Sequence, residues 1–149
     1  MYLDDLKIGD KRRSCGVTLT EGAIMDFALR YDPQPFHIDA VAAQHGPFAG
    51  MIASGFQTLA LTFRLMHMTG MFDGGGIGGH GIDELRWTRP VRPGDTLTVE
   101  TEVKDIKISR SKPDRATVSV AYSTYNQHDQ VVMTAMFLHI FRRRDARGM

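Results

Sequence analysis

Cysteine is almost missing from this 149-residue chain: Cys15 stands alone. No intramolecular disulfide can form, and neither a CxxC pair nor a Cys/His metal cluster is available. An excess of charge is missing too, since 18 Lys and Arg against 17 Asp and Glu leave a formal net charge of +1. That balance argues against a nucleic acid or an anionic membrane as partner. The basic end "RRRDARGM" reads as solubilising. A long uncharged apolar run is also lacking. The most apolar window, "MIASGFQTLALTFRLMHM", is broken by Gln57, Arg64 and His67, which would be expensive in hydrocarbon, so it reads as a buried helix rather than a membrane span. "MYLDDL" has neither the basic stretch nor the apolar run of a secretory signal, and a cytoplasmic location is expected. His45, His67, His80, His128 and His139 are scattered without ligand spacing, so no metal is expected. There is no repeat and no linker, and the length suits one domain over residues 1–149.

What the chain does contain is a helical first half and a strand-rich second half. Thr20 is a good N-cap for a helix with Ile24, Phe27, Ala28 and Tyr31 on one face, and Pro33 disfavours helical geometry at Asp32. Asp39 can cap a short helix through "AVAAQ", closed by Gly46 and Pro47. A third helix over residues 54–68 is apolar on nearly every face, ends at Gly70, and should be wrapped by other elements. An early strand is expected around "SCGVTL". After the third helix, "GIDELRWT", "DTLTVETEVKDIKI", "RATVSVAYSTY" and "VVMTAMFLHIF" are rich in β-branched and aromatic residues and are separated by turn chemistry. The expected fold class is α+β, an antiparallel sheet curling about the central helix. "GMFDGGGIGGHG" contains a GxGxxG match at Gly74, Gly76 and Gly79, but it follows a helix and opens a strand, the reverse of a dinucleotide fingerprint. A mobile loop beside a site is the expectation for residues 70–81.

The stretch with the densest chemistry is "RYDPQPFHID". Taken singly, Asp32 is a turn aspartate and His37 a half-buried histidine. Pro33 and Pro35 change that balance, because two fixed φ angles reduce what must be ordered to hold both side chains in one geometry. An imidazole and a carboxylate held together can share one water, one taking its proton and the other supplying or orienting one. Spacing alone does not show that they converge.

The segment "YDPQPFHIDAVAA" resembles the hydratase signature of the MaoC-like family, the (R)-specific enoyl-CoA hydratases, in which an aspartate, an asparagine-proline pair and a histidine precede a short helix. "IASGFQTLAL" resembles the start of that family's central helix, with Ser54 and Gly55 at its opening, and "LRWTRPVRPGDTL" resembles the strand and turn that follow the glycine-rich loop. Gln34 departs from the asparagine usual in relatives. The resemblance implies a hotdog fold, the long helix being the sausage and the sheet the bun, usually dimerised into one continuous sheet. It also implies reversible addition of water to a trans-2-enoyl thioester, giving an (R)-3-hydroxyacyl thioester.

In that reading Asp32 and His37 hold and deprotonate the water, and the N–H of Gly55 at the helix N-terminus stabilises the enolate-like oxygen. Gln34 and Ser54 support them. Coenzyme A enters only as part of the substrate, with no separate cofactor. Arg86, Arg89, Arg92, Arg110, Lys112 and Arg115 are candidates for its phosphates, each also explicable as solvated surface. A lone hotdog leaves a sheet edge open, so a homodimer is expected. Two rivals keep the fold. A thioesterase or a sister acyl-carrier dehydratase places a carboxylate on the central helix, and residues 54–68 contain neither Asp nor Glu. A non-catalytic acyl-binding or partner subunit is the other.

Overall fold

The computed structural model describes residues 1–145. The last four residues of the basic tail, 146–149, lie outside the described residues. Ten elements follow a short 3-10 turn at Leu3–Asp5: β1 (Lys11–Arg13), β2 (Val17–Thr18), α1 (Glu21–Tyr31), α2 (Pro35–Ile38), α3 (Ala40–Gln44), α4 (Gly55–His67), β3 (Gly76–Trp87), β4 (Thr96–Ile108), β5 (Arg115–Tyr125) and β6 (Val131–Arg142).

The helix ends follow from capping. Thr20 Oγ1 accepts the Ala23 N–H at 3.1 Å to start α1. Asp39 Oδ1 accepts from Val41 and Ala42 at 3.0 and 2.9 Å to start α3, and Ser54 Oγ accepts from Phe56 at 3.3 Å to start α4. Each cap satisfies N–H groups that have no acceptor inside their own helix. Between α1 and α3 the proline-flanked segment is itself a helical turn, α2, with Pro35 in the first position, where a missing N–H costs nothing. That turn was not expected from the sequence.

The strands form one antiparallel sheet in the order β1-β4-β5-β6-β3, with β2 pairing the start of β4. Along β4, β5 and β6 burial alternates, so Val99, Val103, Val118, Val120, Phe137 and Phe141 face inward, while the other face carries mostly polar residues on β4 and β5 and Met136, Leu138 and Ile140 on β6. Helix α4, about 20 Å long from its 13 residues, lies against this inner face. A hydrogen bond of 2.7 Å between Thr62 and Thr124 ties it to β5. Gln57 Nε2 donates to Ala23 O at 2.9 Å and ties it to α1.

The sheet curls about α4 as expected, with Leu61, Leu65 and Met66 buried, while Phe56 is 61% and Phe63 is 41% exposed. One expectation is corrected: the glycine-rich segment is not all loop, because Gly76 to Gly81 are the first half of β3, paired with β6 through repeated register shifts. Glycines let a strand bulge and approach its neighbour closely. An ideal Cβ on Gly79 would stand 3.0 Å from Leu138 O.

A second polar pair lies in the sheet core. His139 Nε2 and the Tyr122 hydroxyl are 2.7 Å apart, both residues almost fully buried. Burial pushes the His139 imidazole down to about 4, with the nearby His67 adding to the shift. A histidine held neutral in the fold but free to protonate in the unfolded chain destabilises the fold as pH drops. Stability is therefore expected to fall between about pH 6.5 and pH 4 by up to about 3 kcal/mol from this group. Urea unfolding across that window, compared with His139→Phe, checks it: the variant should lose that part of the slope, and an identical slope would refute the assignment.

Candidate active site

Asp32 closes α1, its backbone N–H donating to Ala28 O at 2.9 Å, in a non-helical conformation that suits the residue before a proline. The chain then folds back: Gln34 N–H donates to Asp32 O at 2.8 Å and His37 N–H to Gln34 O at 2.9 Å. This compact turn puts the Asp32 and His37 side chains side by side.

Four sequence-expected residues are joined directly. Gln34 Nε2 donates to Asp32 Oδ1 at 2.8 Å. Ser54 Oγ donates to Asp32 Oδ2 at 2.7 Å, and His37 Nε2 lies 3.3 Å from the same oxygen. On its far side, His37 Nδ1 is 2.7 Å from Ile52 O. A carbonyl only accepts, so Nδ1 carries a proton and Nε2 is the atom presented to the carboxylate. The His37 side chain is 4% exposed and that of Asp32 18%. Burial raises the Asp32 carboxyl, but hydrogen bonds from Ser54 and Gln34, with neighbouring His37 adding to them, outweigh it, so it sits below the usual carboxylate range. It is an anion at neutral pH.

Gly55, the first residue of α4, borders the same cavity of about 480 Å³ as Asp32, Gln34, His37, Phe56 and Trp87. The first N–H groups of a helix lack internal acceptors and carry the positive end of its dipole. Trp87, on β3, donates its indole N–H to Gly55 O at 2.9 Å, and the ring lies so close that a Cβ on residue 55 would stand 2.6 Å from it. Phe56 meets Trp87 edge to face, with centroids 5.9 Å apart.

Of the six basic candidates, only Arg89 lines this cavity. Arg86 bonds the adjacent Leu85 carbonyl, Arg92 holds Phe48 O at 2.6 Å, and Arg115 pairs with Asp114 at 2.8 Å. Arg110 and Lys112 sit in the β4–β5 turn. Trp87 and the Ile52 carbonyl were missed from the sequence. A sole tryptophan next to a turn was a usable signal for the first, whereas nothing local marks a backbone carbonyl fifteen residues from the ring it orients.

A buried helix laid into a curved antiparallel sheet, with polar side chains gathered at its N-terminus, defines a hotdog-fold protein. Residues 5–126 match the MaoC like domain, and the chain belongs to that family. The crystal structure of a MaoC-like dehydratase from Rhodospirillum rubrum is similar at 43% identity and a TM-score of 0.91, over 97% of this chain and 98% of that one. The R-hydratase PhaJ1 from Pseudomonas aeruginosa, in its unliganded form, is similar at 28% identity and a TM-score of 0.73, over 95% of this chain and 85% of its own. Among curated sequences, the uncharacterized protein YdeM of Bacillus subtilis strain 168 is 34% identical over 143 residues, 96% of this chain and 100% of that one.

Proposed function

We propose that this chain catalyses reversible hydration of a trans-2-enoyl thioester, carried by coenzyme A or an acyl carrier protein, to the (R)-3-hydroxyacyl thioester. The observation that carries the reading is that the Asp32–His37 pair and Gly55, the first residue of α4, line one cavity. The family's dehydratases and the R-hydratase likeness support it.

The thioester carbonyl accepts from the Gly55 N–H, where the helix dipole favours the negative charge that develops on oxygen. Polarisation makes the β-carbon electrophilic. A water held between His37 Nε2 and Asp32 loses a proton to Nε2 as its oxygen bonds that carbon, and the Asp32 anion stabilises the resulting imidazolium. The same proton passes to the α-carbon on the same face, so the net change is addition of one water. In this reading no cofactor is needed beyond the coenzyme A of the substrate, and Arg89, which lines the cavity, is the basic residue proposed to meet its phosphates. The free edge of β3, with Ile77 and Ile82 exposed along it, suits pairing with a second copy. A homodimer follows, in a single-domain chain acting in the cytoplasm. Among the described residues no helix is long and apolar enough to cross a membrane.

Helix α4 carries no carboxylate, which weighs against a thioesterase of the kind that uses one. Incubation with crotonyl-CoA is expected to lower the enoyl absorbance to its hydration equilibrium. Tight binding across a range of chain lengths with no loss of absorbance would instead identify a non-catalytic acyl-binding subunit.

Ser54 acts through Asp32 and is a positioning residue. Ser54→Ala removes the donor to Oδ2 and the cap on Phe56, so it is expected to cost about 1 kcal/mol of stability. Turnover should drop about tenfold with little change in KM, the scale of one hydrogen bond to a charged group. Because a donor that favours the anion is gone, the Asp32 titration should move upward, shifting the acid limb of the rate profile to higher pH. Ser54→Thr should restore both. An unchanged pH profile would reduce Ser54 to a helix cap.

A further inference from the structure

A second cavity, about 570 Å³, runs between α4 and the β3–β6 edge of the sheet. Phe56 lines both it and the candidate active site, so that ring stands between the two spaces. On the reading above, this groove is where the acyl chain goes. Its walls are mostly apolar, with Leu59 and Phe63 from α4, Phe72 before β3, Ile82 from β3 and Phe137 from β6.

One buried polar group interrupts them. His139 also lines the groove, although it is only 4% exposed. Its Nε2 is 2.7 Å from the Tyr122 hydroxyl. Tyr122 is itself buried, and His139 is the hydrogen-bond partner of its hydroxyl among the described residues. The phenol must donate, because a buried O–H without an acceptor is costly. Nε2 therefore accepts, and in the neutral ring the proton sits on Nδ1. That N–H bonds nothing among the described residues. It faces Gly79, its direct partner across the β3–β6 ladder, where a Cβ would stand 3.7 Å from Nδ1. The glycines at 76, 78, 79 and 81 all border the groove and leave this side of it without side chains. The glycine-rich segment thus opens space over a single hydrogen-bond donor.

We infer that the groove selects an acyl chain bearing a neutral oxygen acceptor, a keto, hydroxyl or ether group, which receives the His139 Nδ1–H. An all-carbon chain would leave that donor unpaired and dry, whereas an oxygen at the right depth satisfies it. A carboxylate fits less well. No Lys or Arg is among the described residues lining the groove, and His67, at its rim on α4, is the only other titratable group there. Aromatic rings surround the imidazole, with Phe72 at 4.4 Å and Phe137 at 5.6 Å between centroids, and they give an anion nothing to pair with.

This inference rests on the enoyl-thioester reading, and binding separates the two. The full chain is titrated calorimetrically with saturated acyl-CoAs of one length in which a keto group is walked along the chain, alongside the plain alkyl parent. One keto position is expected to bind about tenfold more tightly than the parent, the scale of one buried hydrogen bond gained against one donor left unpaired. His139→Phe, which keeps a ring in the stack, should lose that preference and bind the alkyl chain more tightly. Gly79→Ala keeps the imidazole but sets a methyl in contact with Nδ1 and tightly against Leu138 O, filling the space an acceptor would use, and should weaken the preference as well. No keto position above the parent, or a preference that survives His139→Phe, overturns the inference. So does a groove filled by a second copy of the chain, which would show no dependence on acyl structure. Keto-selective binding without hydration of any enoyl-CoA would instead sink the hydratase reading and leave this one standing.

Discussion

Asp32→Asn and His37→Ala are each expected to lower turnover by a factor on the order of 10²–10⁴, the usual scale for losing an acid/base group. In Asp32→Asn the new amide keeps the size of the carboxylate and can still accept one hydrogen bond, from Gln34 or Ser54. It loses the charge that steadies an imidazolium at 3.3 Å, and one of its two positions becomes a donor facing other donors. His37→Ala removes the atom that takes the proton and leaves the Ile52 carbonyl without its partner. Asp32→Asn keeps the size of the side chain and should fold; His37→Ala opens a small buried space beside Ile52, so its folding is checked directly. The double variant should be little worse than the more damaged single one, since the two groups act on the same water and their effects do not add. Steady-state hydration of crotonyl-CoA, with circular dichroism to confirm folding, makes the measurement. Full activity in both variants would remove the pair from the mechanism.

The second large effect is expected at Gly55. An added Cβ would lie 2.6 Å from the Trp87 ring and 2.9 Å from its indole nitrogen, closer than atoms can sit. In Gly55→Ala the indole must swing away, breaking its bond to Gly55 O and moving a wall of the cavity. The backbone N–H survives, but the carbonyl oxygen no longer reaches it at hydrogen-bond distance. A loss of about 10²–10³ in turnover is expected, the scale of deleting one oxyanion donor. Removing the obstruction tests the cause: Gly55→Ala combined with Trp87→Ala should recover a large part of the loss, because the amide is intact and the space is restored. Normal activity in Gly55→Ala alone would show that the thioester oxygen binds elsewhere.

Much of this site was legible as local chemistry. Asp32 and His37, five positions apart with two prolines between them, stood out because proline restricts the backbone wherever it occurs. Ser54 followed by Gly55 read as a helix opening because a cap acts within three residues of itself. The four long strands were visible through side-chain alternation and turn residues. Residues 76–81 misled for a physical reason: glycine lacks the side chain that marks a strand, yet these residues pair with β6, whose own pattern is strong. The apolar circumference of α4 likewise did not show which side the chain itself would cover.

From its own spacing the sequence determined the helix starts, the strand-forming second half and a proline-restricted segment carrying Asp32 and His37, because caps, periods and proline constraints all operate over a few neighbouring residues. Only the tertiary structure decided that Ser54 reaches Asp32 across 22 positions, that the Ile52 carbonyl fixes the His37 tautomer, that Trp87 roofs Gly55, and that Gly79 bares His139. Those contacts depend on strand register and on how α4 lies on the sheet, and such geometry arises when distant segments compete for one buried interior.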